Sequence, residues 1–316
     1  MRQKRRHRKG CYMRGGMGYQ ITQVFNQSGI FAPTESKHEA KAEARAEGAR
    51  TSSEVASQTA IYSYQTAESY KDVWHQVGDF CKKNCGLKDI EKLSPDNVRE
   101  YLESRISEGV AASTFAKECA AINKLENALS AYAEKRASGR EYNFREVTHQ
   151  VKVEQGKSLE RADLHRAYTN AHNVVDLLQD AHKVAAGLQL HGGGRISEID
   201  LIKPVQLKGD SRIEVQGKGG KIRELNVPEK IYKEVEKIIT EKGIFRIDKD
   251  AYGRDLRAAA LSSGQDATGS HGLRWNFAQN RMNELQSSGK SYEQALLRVS
   301  HEMGHERPDI TEHYLR

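Results

Sequence analysis

Residues 213–227, IEVQGKGGKIRELNV, decide the fold class, because the spacing of hydrophobic residues changes there. Apolar residues alternate with polar ones on both sides of a glycine-rich turn: Ile213, Val215, Leu225 and Val227. A period of two is typical of a half-buried strand, and two such runs around a glycine-rich turn predict a β-hairpin. Lys218 lies at the tip of this predicted hairpin.

The sequence on both sides of the hairpin has helical periodicity. Apolar residues over 174–188 predict a buried helix that ends at the glycines 192–194, and a short helix is predicted over 196–202. Helical patterns resume near residue 230 and continue to residue 316. We therefore expect residues 158–316 to form one domain, mainly α with a small antiparallel β element.

A second helical region comes earlier in the chain. Apolar residues recur at helical spacing in three stretches, 67–81, 98–106 and 115–132. Ser94 followed by Pro95 is a helix start signal, a capping residue before proline at the first helical position. The pattern predicts an all-helical domain over residues 51–140, joined to the second domain by a polar linker over 141–157.

The positive charge is concentrated at the start of the chain. The formal net charge is +7, and the first 14 residues hold seven Lys and Arg and no acidic residue, which leaves equal numbers of both signs elsewhere. We interpret residues 1–50 as a flexible basic arm that contacts DNA. The proposed DNA-binding residues of this arm are Arg2, Lys4, Arg5, Arg6, Arg8 and Lys9. A disordered tail that touches anionic partners loosely fits the same composition.

Cysteine usage and hydropathy indicate the compartment. The four cysteines are too few and too scattered for a disulfide scaffold, which predicts reduced thiols in the cytoplasm. No stretch approaches the ~18 apolar residues of a membrane span, so we expect no membrane partner.

Residues 301–305, HEMGH, match the zinc-protease pattern H-E-x-x-H. That chemistry needs two histidines on one stable helical face and a third ligand further on. Here Gly304 falls inside the turn, Pro308 follows closely, and Thr311 stands where the extended pattern has its third histidine. We therefore expect no metal site, and the zinc content of the purified protein would test this.

Cationic and nucleophilic residues follow one another along the second domain in a fixed order. They are Arg195 after the glycine turn, Lys218 at the hairpin tip, His271 and Arg274 one helical turn apart, His305 after Gly304, and Tyr314. Each of them alone has an ordinary structural explanation, such as a surface histidine or a packed tyrosine. Their order and spacing together are hard to explain in that way.

In these motifs the second domain resembles the catalytic domain of the tyrosine recombinases, the phage-integrase family. The similar segments are 194–198 (GRISE), 215–219 (VQGKG), 271–274 (HGLR), 304–305 (GH) and 311–314 (TEHY). Residues 55–139 resemble the family's helical, SAM-like core-binding domain, by pattern more than by motif.

The resemblance implies a site-specific recombinase or integrase that cuts and rejoins double-stranded DNA through a 3′-phosphotyrosine intermediate. It further implies integration or excision of a mobile element by a homotetramer on two DNA sites, with accessory DNA-bending proteins and a nucleoid location. The covalent link to the protein would store the phosphodiester energy, so the reaction would need no cofactor and no metal.

The chemistry explains why these residue types are needed. Attack on a phosphodiester builds negative charge on the non-bridging oxygens, which Arg195 and Arg274 would hold through their planar forks of donors. His271 and His305 would add hydrogen bonds and share proton transfers near neutral pH.

The remaining roles also follow from the resemblance. Tyr314 would be the nucleophile, and Lys218 would protonate the leaving 5′ oxygen. Glu198 would support the site by orienting Arg195 or a histidine, although a purely helix-stabilising role fits equally well.

Two other functions remain open. A type IB topoisomerase would use the same chemistry to relax supercoils as a monomer. A DNA-binding regulator with the recombinase fold but without strand exchange is slightly favoured by two departures, the short tail after Tyr314 and Glu306 in place of a small residue, but the complete set of catalytic residue types argues strongly against it. A third departure, Gly193 in place of an apolar residue, predicts a more flexible turn before Arg195.

Overall fold

The computed structural model describes residues 15–159, 165–217, 220–305 and 307–316. The chain divides between Asp163 and Leu164 into two compact units. The described part is mostly helical and contains two small antiparallel sheets, which confirms the predicted fold class. None of the described helices is both long and apolar enough to cross a membrane.

Helices build the N-terminal unit. In chain order they are α1 (Met17–Ser28), α2 (Lys37–Ala46), α3 (Ser52–Gln58), α4 (Tyr64–Asn84), α5 (Pro95–Ser107), α6 (Ala112–Lys135) and α7 (Phe144–Glu154). The start signal at Ser94 acts as predicted, since its hydroxyl accepts from the Asn97 amide and Pro95 takes the first helical position. Trp74 of α4 is fully buried, and its indole nitrogen donates to the Ala121 carbonyl at 2.7 Å.

The prediction of a flexible arm over residues 1–50 is wrong for the part that the structure describes. Met17, Ile21 and Val24 of α1 are buried in the same core as Trp74. Their helical spacing gives α1 an apolar face, which the polar composition of this stretch concealed. The proposed arm residues Arg2, Lys4, Arg5, Arg6, Arg8 and Lys9 lie outside the described residues.

The predicted linker over 141–157 also needs correction. Helix α7 occupies most of it, and Phe144, Val147 and Val151 are buried in the N-terminal core. These residues lie three and four positions apart, so one face of α7 packs while its other faces carry the charges that suggested a linker. The N-terminal unit therefore extends beyond residue 140.

The C-terminal unit combines helices with short strands. Its elements are α8 (Ala171–Asp176), α9 (Asp180–Gly192), α10 (Ile196–Ile199), β1 (Leu201–Ile202), β2 (Arg212–Gln216), β3 (Ile222–Asn226), α11 (Glu229–Lys242), β4 (Phe245–Arg246), α12 (Lys249–Ser262), α13 (Ser270–Ser287), α14 (Tyr292–Glu302) and α15 (Pro308–Glu312). The chain ends in a short 3₁₀ turn, His313–Leu315.

The predicted hairpin is confirmed: β2 and β3 pair antiparallel, with Ile213 opposite Leu225. Lys218 lies outside the described residues. The single helix predicted over 174–188 is instead α8 followed by α9, and Leu177 between them is half exposed. The helix predicted over 196–202 ends at Ile199, and residues 201–202 form β1 instead, which pairs with β4. Strands of two residues are too short to show a period in the sequence.

Candidate active site

The glycine turn after α9 is built by close packing. Gly193 has a φ of +62°, the left-handed region that favours glycine, and a Cβ there would come within 2.5 Å of the Phe277 ring. Its carbonyl accepts hydrogen bonds from two arginines, Arg223 and Arg274. The glycine that suggested a flexible turn is thus required by its left-handed backbone conformation and by the close approach of Phe277.

Arg195 follows this turn and opens α10. Its backbone amide donates to Glu198 Oε2 at 2.8 Å, and its Nη1 donates to Glu198 Oε1 at 2.7 Å. The Glu198 side chain is fully buried, whereas the Arg195 side chain remains 28% exposed. Of the two partners considered for Glu198 from the sequence, the structure thus provides the arginine.

Glu198 is held as a carboxylate. Burial alone would raise its pKa, but the charge of Arg223 and hydrogen bonds from Arg195 outweigh burial and lower the pKa below its ordinary value. Glu198 therefore carries a negative charge between two arginines, Arg195 at Oε1 and Arg223 at Oε2.

Arg223 is a member of the site that sequence reasoning missed. It lies on β3 opposite Val215, and its side chain is only 8% exposed. It donates to Glu198 Oε2 at 2.6 Å, to the Gly193 carbonyl at 3.0 Å and to the Glu302 carbonyl. A signal was present, because the alternation that buries Leu225 also places Arg223 on the buried face of the hairpin.

Arg274 of α13 is fully buried. It donates to the carbonyls of Gly193 and Met303, and its Nη2 lies 3.2 Å from Nε2 of His305. Burial, followed by the charges of Arg195 and of Arg223, lowers its pKa to about 10. Within the described chain no carboxylate forms an ion pair with this guanidinium.

His305 is oriented from both of its ring nitrogens. Since Arg274 can only donate, Nε2 of His305 must accept, and the ring proton is then on Nδ1, 2.8 Å from the Thr311 hydroxyl. Thr311 in turn lies 2.9 Å from the hydroxyl of Ser300. Burial and the charge of Arg274 lower the pKa of His305 to about 3, so this histidine is neutral.

The ring of Tyr314 lies among these groups and is 8% exposed. Its centroid is 5.3 Å from the rings of both His271 and His305, and 5.4 Å from that of Trp275. The Arg274 guanidinium carbon is 6.0 Å from the same centroid. The phenol is therefore packed between two imidazoles and beside a buried cation.

Two further contacts support Tyr314, and sequence reasoning missed both. The amide of Gln279 donates to the Tyr314 carbonyl at 3.2 Å. The indole ring of Trp275 is 1% exposed, and its nitrogen has no hydrogen-bond partner in the described chain. Both residues follow Arg274 on α13, so the helical spacing of an HGLR motif could have pointed to them.

His271 differs from His305 in that its side chain is open to solvent on one side. Desolvation by the packing on its other side, followed by the charge of Arg274, lowers its pKa to about 4. The structure thus brings six predicted site residues together: Arg195, Glu198, His271, Arg274, His305 and Tyr314. Lys218 and Glu306 lie outside the described residues.

The residues of the zinc-protease pattern over 301–305 make contacts that do not involve a metal. Glu302 forms ion pairs with Arg281 and Arg298, while His301 is exposed and His305 is bound to Thr311. Among the residues that the structure describes, no group of three His, Cys, Asp or Glu is placed to hold a metal ion.

The arrangement suits an anion. Glu198 pairs with Arg195 and Arg223, and the neighbouring Arg274 has no carboxylate partner in the described chain, so positive charge exceeds negative charge beside the phenol of Tyr314. A phosphate group carries the opposite charge and can accept hydrogen bonds from arginine forks.

Comparison with known proteins identifies the family of one domain and the fold of the chain. Residues 56–132 match the family model of the phage integrase N-terminal SAM-like domain. No curated protein matches the sequence.

Solved structures match along most of the chain. XerH site-specific recombinase bound to palindromic difH substrate is 14% identical, with a TM-score of 0.60 and coverage of 94% of this chain and 91% of that one. A lambda integrase dimer bound to a COC′ core site is 14% identical, with a TM-score of 0.57 and coverage of 94% and 80%. Tn1549 transposon integrase in complex with circular intermediate DNA is 12% identical, with a TM-score of 0.54 and coverage of 88% and 94%. The chain therefore has the fold of the tyrosine recombinases, with a phage-integrase SAM-like domain in its N-terminal unit.

Proposed function

We propose that this protein is a site-specific tyrosine recombinase, which cuts and rejoins double-stranded DNA through a 3′-phosphotyrosine at Tyr314. One observation carries the proposal: the Tyr314 phenol is packed against His271 and His305, beside a buried arginine in a cluster with excess positive charge. The fold supports it, because the solved structures with this fold include recombinases and integrases bound to DNA.

In this proposal the arginines bind the scissile phosphate. Arg195 is partly exposed and reaches the phosphate from the start of α10. Arg274 is fully buried and contributes its positive charge from the interior of the C-terminal unit. Their charge stabilises the extra negative charge of the pentacoordinate transition state. Loss of one such donor typically costs about 2.7–4 kcal/mol of transition-state stabilisation.

The two histidines contribute hydrogen bonding and proton transfer. Both are neutral without DNA, because burial and neighbouring arginines lower their pKa values, to about 4 for His271 and about 3 for His305. His271, whose ring centroid is 5.3 Å from that of Tyr314, can accept the phenolic proton as the oxygen attacks. His305 stabilises the site by hydrogen bonds instead, because its Nε2 accepts from Arg274 and its Nδ1 carries the ring proton beside Thr311. A bound phosphate would offset the arginine charges and raise both pKa values, which favours the proton transfer.

The covalent step exchanges one ester for another. The Tyr314 oxygen forms a bond to phosphorus, and the bond to the 5′ oxygen breaks and leaves a 3′-phosphotyrosine. Lys218 gives a proton to that leaving oxygen and regains it when the step reverses. Because the phosphate ester is kept on the protein, rejoining needs no outside energy source.

Recombination requires two such cuts on each of two DNA sites, so we assign the active form as a homotetramer on DNA. We further assign its role as integration or excision of a mobile element, at the nucleoid and with accessory DNA-bending proteins. These assignments draw on the fold shared with DNA-bound integrases.

Covalent trapping tests the proposal. Duplexes from DNA flanking the gene, nicked so that the cleaved end is lost by diffusion, are mixed with wild type, Tyr314→Phe and Tyr292→Phe. Tyr292 is an exposed tyrosine of α14 and serves as the matched control. We expect an SDS-resistant adduct with wild type and Tyr292→Phe and none with Tyr314→Phe.

Other outcomes favour the alternatives. An adduct in all three proteins would exclude Tyr314 as the nucleophile. Tight DNA binding with no adduct would favour a DNA-binding regulator. An adduct together with supercoil relaxation by a monomer, and no recombination of two-site substrates, would favour a type IB topoisomerase.

The roles of Lys218 and of the basic arm have their own tests. Lys218→Ala should slow cleavage far more than it weakens DNA binding, whereas an equal loss of both would make it a binding residue. Deletion of residues 1–14 should reduce the salt dependence of DNA affinity, since each phosphate contact contributes about 0.9 to the slope. An unchanged slope would show that these residues do not touch DNA.

A further inference from the structure

Arg223 joins two segments that carry site residues. Its guanidinium donates to the carbonyls of Gly193 and Glu302 as well as to Glu198. In the sequence, Gly193 is two residues before Arg195, and Glu302 is three residues before His305. One buried side chain of the hairpin therefore holds the segments that present both residues.

Arg223 offsets the negative charge of Glu198 beside Arg195. Glu198 holds Arg195 through a bond to its side chain and a bond to its backbone amide. The same carboxylate would cancel the positive charge of Arg195, because charges at hydrogen-bond distance in a buried site interact strongly. Arg223 places a second positive charge 2.6 Å from the other carboxylate oxygen, so the group of three carries a net charge of +1.

Arg223 is already paired with a carboxylate. Its side chain is 8% exposed and donates to Glu198 Oε2 at 2.6 Å, and its other acceptors are two backbone carbonyls. Arg274 differs, because no carboxylate pairs with it in the described chain and its guanidinium carbon is 6.0 Å from the centroid of the Tyr314 ring. We therefore assign the effect of Arg223 on the scissile phosphate to its contact with Glu198, which in turn holds Arg195.

We propose that Arg223 is a positioning residue that offsets the charge of Glu198, so that Glu198 can hold Arg195 while Arg195 still presents a positive charge to the scissile phosphate. The inference deepens the proposed function and rests on it. If Arg223 offsets the charge of Glu198, the effect of replacing Arg223 must depend on whether Glu198 is present. A packing role would not depend on Glu198 in this way.

A pair of substitutions separates the two roles. The single-turnover rate of adduct formation at saturating nicked duplex is measured for wild type, Arg223→Met, Glu198→Gln and the double variant, with DNA Kd measured in parallel. We expect Arg223→Met to slow cleavage about 10- to 100-fold, because a small misplacement of a catalytic group can cost about 10²-fold in rate. Its Kd should change much less than its rate.

The double variant is decisive. Glu198→Gln removes the charge that Arg223 offsets, so the double variant should cleave faster than Arg223→Met alone. Arg223→Lys keeps the charge but loses the fork, and it should cleave faster than Arg223→Met. Arg212→Met, at an exposed arginine of the same hairpin that pairs with Glu224, is the matched control and should cleave like wild type.

Three results would overturn the inference. They are a double variant no faster than Arg223→Met, an Arg223→Met protein as fast as wild type, and an Arg223→Lys protein no faster than Arg223→Met. Thermal unfolding checks that each variant is folded. If Arg223→Met does not fold, the double variant is compared with Glu198→Gln, and a further large loss of rate would overturn the inference.

The two proposals fail in different ways. If wild type forms an adduct and the double variant brings no recovery, only the role of Arg223 is wrong. If wild type forms no adduct on any duplex, the proposed function is wrong and the role of Arg223 falls with it.

Discussion

Two arginines, one in each unit, are held in opposite ways. Arg105 in the N-terminal unit uses its Nε and Nη2 to bind both oxygens of the buried Glu118, and its Nη1 donates to Glu108. Arg274 in the C-terminal unit is fully buried, yet its acceptors are two backbone carbonyls and His305.

The two environments act oppositely on the guanidinium. Hydrogen bonds to Glu118 raise the pKa of Arg105 above its ordinary value. Burial and neighbouring arginines lower the pKa of Arg274 to about 10. Removal of one partner from a matched pair destabilises the fold, because the other charge is left buried and uncompensated. An unmatched buried charge is typical of a site that binds a ligand of opposite sign.

The largest effect we expect is on stability, at the matched pair. Arg105→Met leaves the Glu118 carboxylate buried without its cation, and breaking a buried ion pair in this way costs about 3–5 kcal/mol. Urea unfolding measures this loss. Adduct formation by the folded protein should stay near the wild-type rate, and a loss of cleavage without a loss of stability would contradict the comparison.

At the unmatched arginine the effect should be on catalysis. Arg274→Met removes a donor to the phosphate, so we expect adduct formation to slow by about 10²–10³-fold. The free energy of unfolding should change by only about 1 kcal/mol, because relief of repulsion from Arg195 and Arg223 offsets the hydrogen bonds that are lost. Urea unfolding measures the change in stability, and the rate of adduct formation measures the change in cleavage. A loss of several kcal/mol of stability with normal cleavage would show that Arg274 is a structural residue.

The pH dependence of stability tests the cationic surroundings of His305. Its pKa is about 3 in the folded protein and near 6.5 in an unfolded chain, so below pH 6.5 only the unfolded chain takes up the proton. The unfolding free energy should therefore fall as pH falls from 6.5 to 5, by up to about 1.4 kcal/mol per pH unit from this residue.

Urea unfolding at several pH values in this range measures the slope. His305→Asn should flatten it, while His301→Asn, at an exposed histidine one turn earlier, should leave it unchanged. Equal slopes in wild type and His305→Asn would mean that His305 is not buried among cations.

The smallest effects should separate the two tryptophans. Trp74→Phe loses the bond to the Ala121 carbonyl, about 1 kcal/mol of stability, without slowing cleavage. Trp275→Phe has no such bond to lose in the described chain, but it weakens the packing of the Tyr314 ring. Since aromatic contacts are worth about 0.5–1.5 kcal/mol, we expect a threefold to tenfold slower cleavage step. Slower cleavage by Trp74→Phe together with normal cleavage by Trp275→Phe would show that Trp275 does not support Tyr314.

The sequence predicted well those features that repeat or form motifs. The hairpin followed from the alternation around residues 217–220, and the helix start at Pro95 followed from its capping signal. The site residues that belong to motifs and that the structure describes meet in one place: Arg195, Glu198, His271, Arg274, His305 and Tyr314. Their ordered spacing was informative because each motif sits at the end or start of an element.

What the sequence did not predict depends on tertiary contacts. Helices α1 and α7 carry regularly spaced apolar residues within polar stretches, and their packing shows that these stretches belong to the N-terminal core. Strands β1 and β4 are two residues long, and each is defined by its pairing with the other. The role of Arg223 depends on carbonyls more than twenty residues away in the sequence, which no local pattern reports.

The most direct test of the central claim is to identify the linked atom. The adduct trapped on nicked duplex is digested with nuclease and protease, and the modified peptide is sequenced by mass spectrometry. We expect a nucleotide joined through its 3′ phosphate to Tyr314, with a free 5′-hydroxyl on the released strand. A link to another residue, or to a 5′ phosphate, would contradict it.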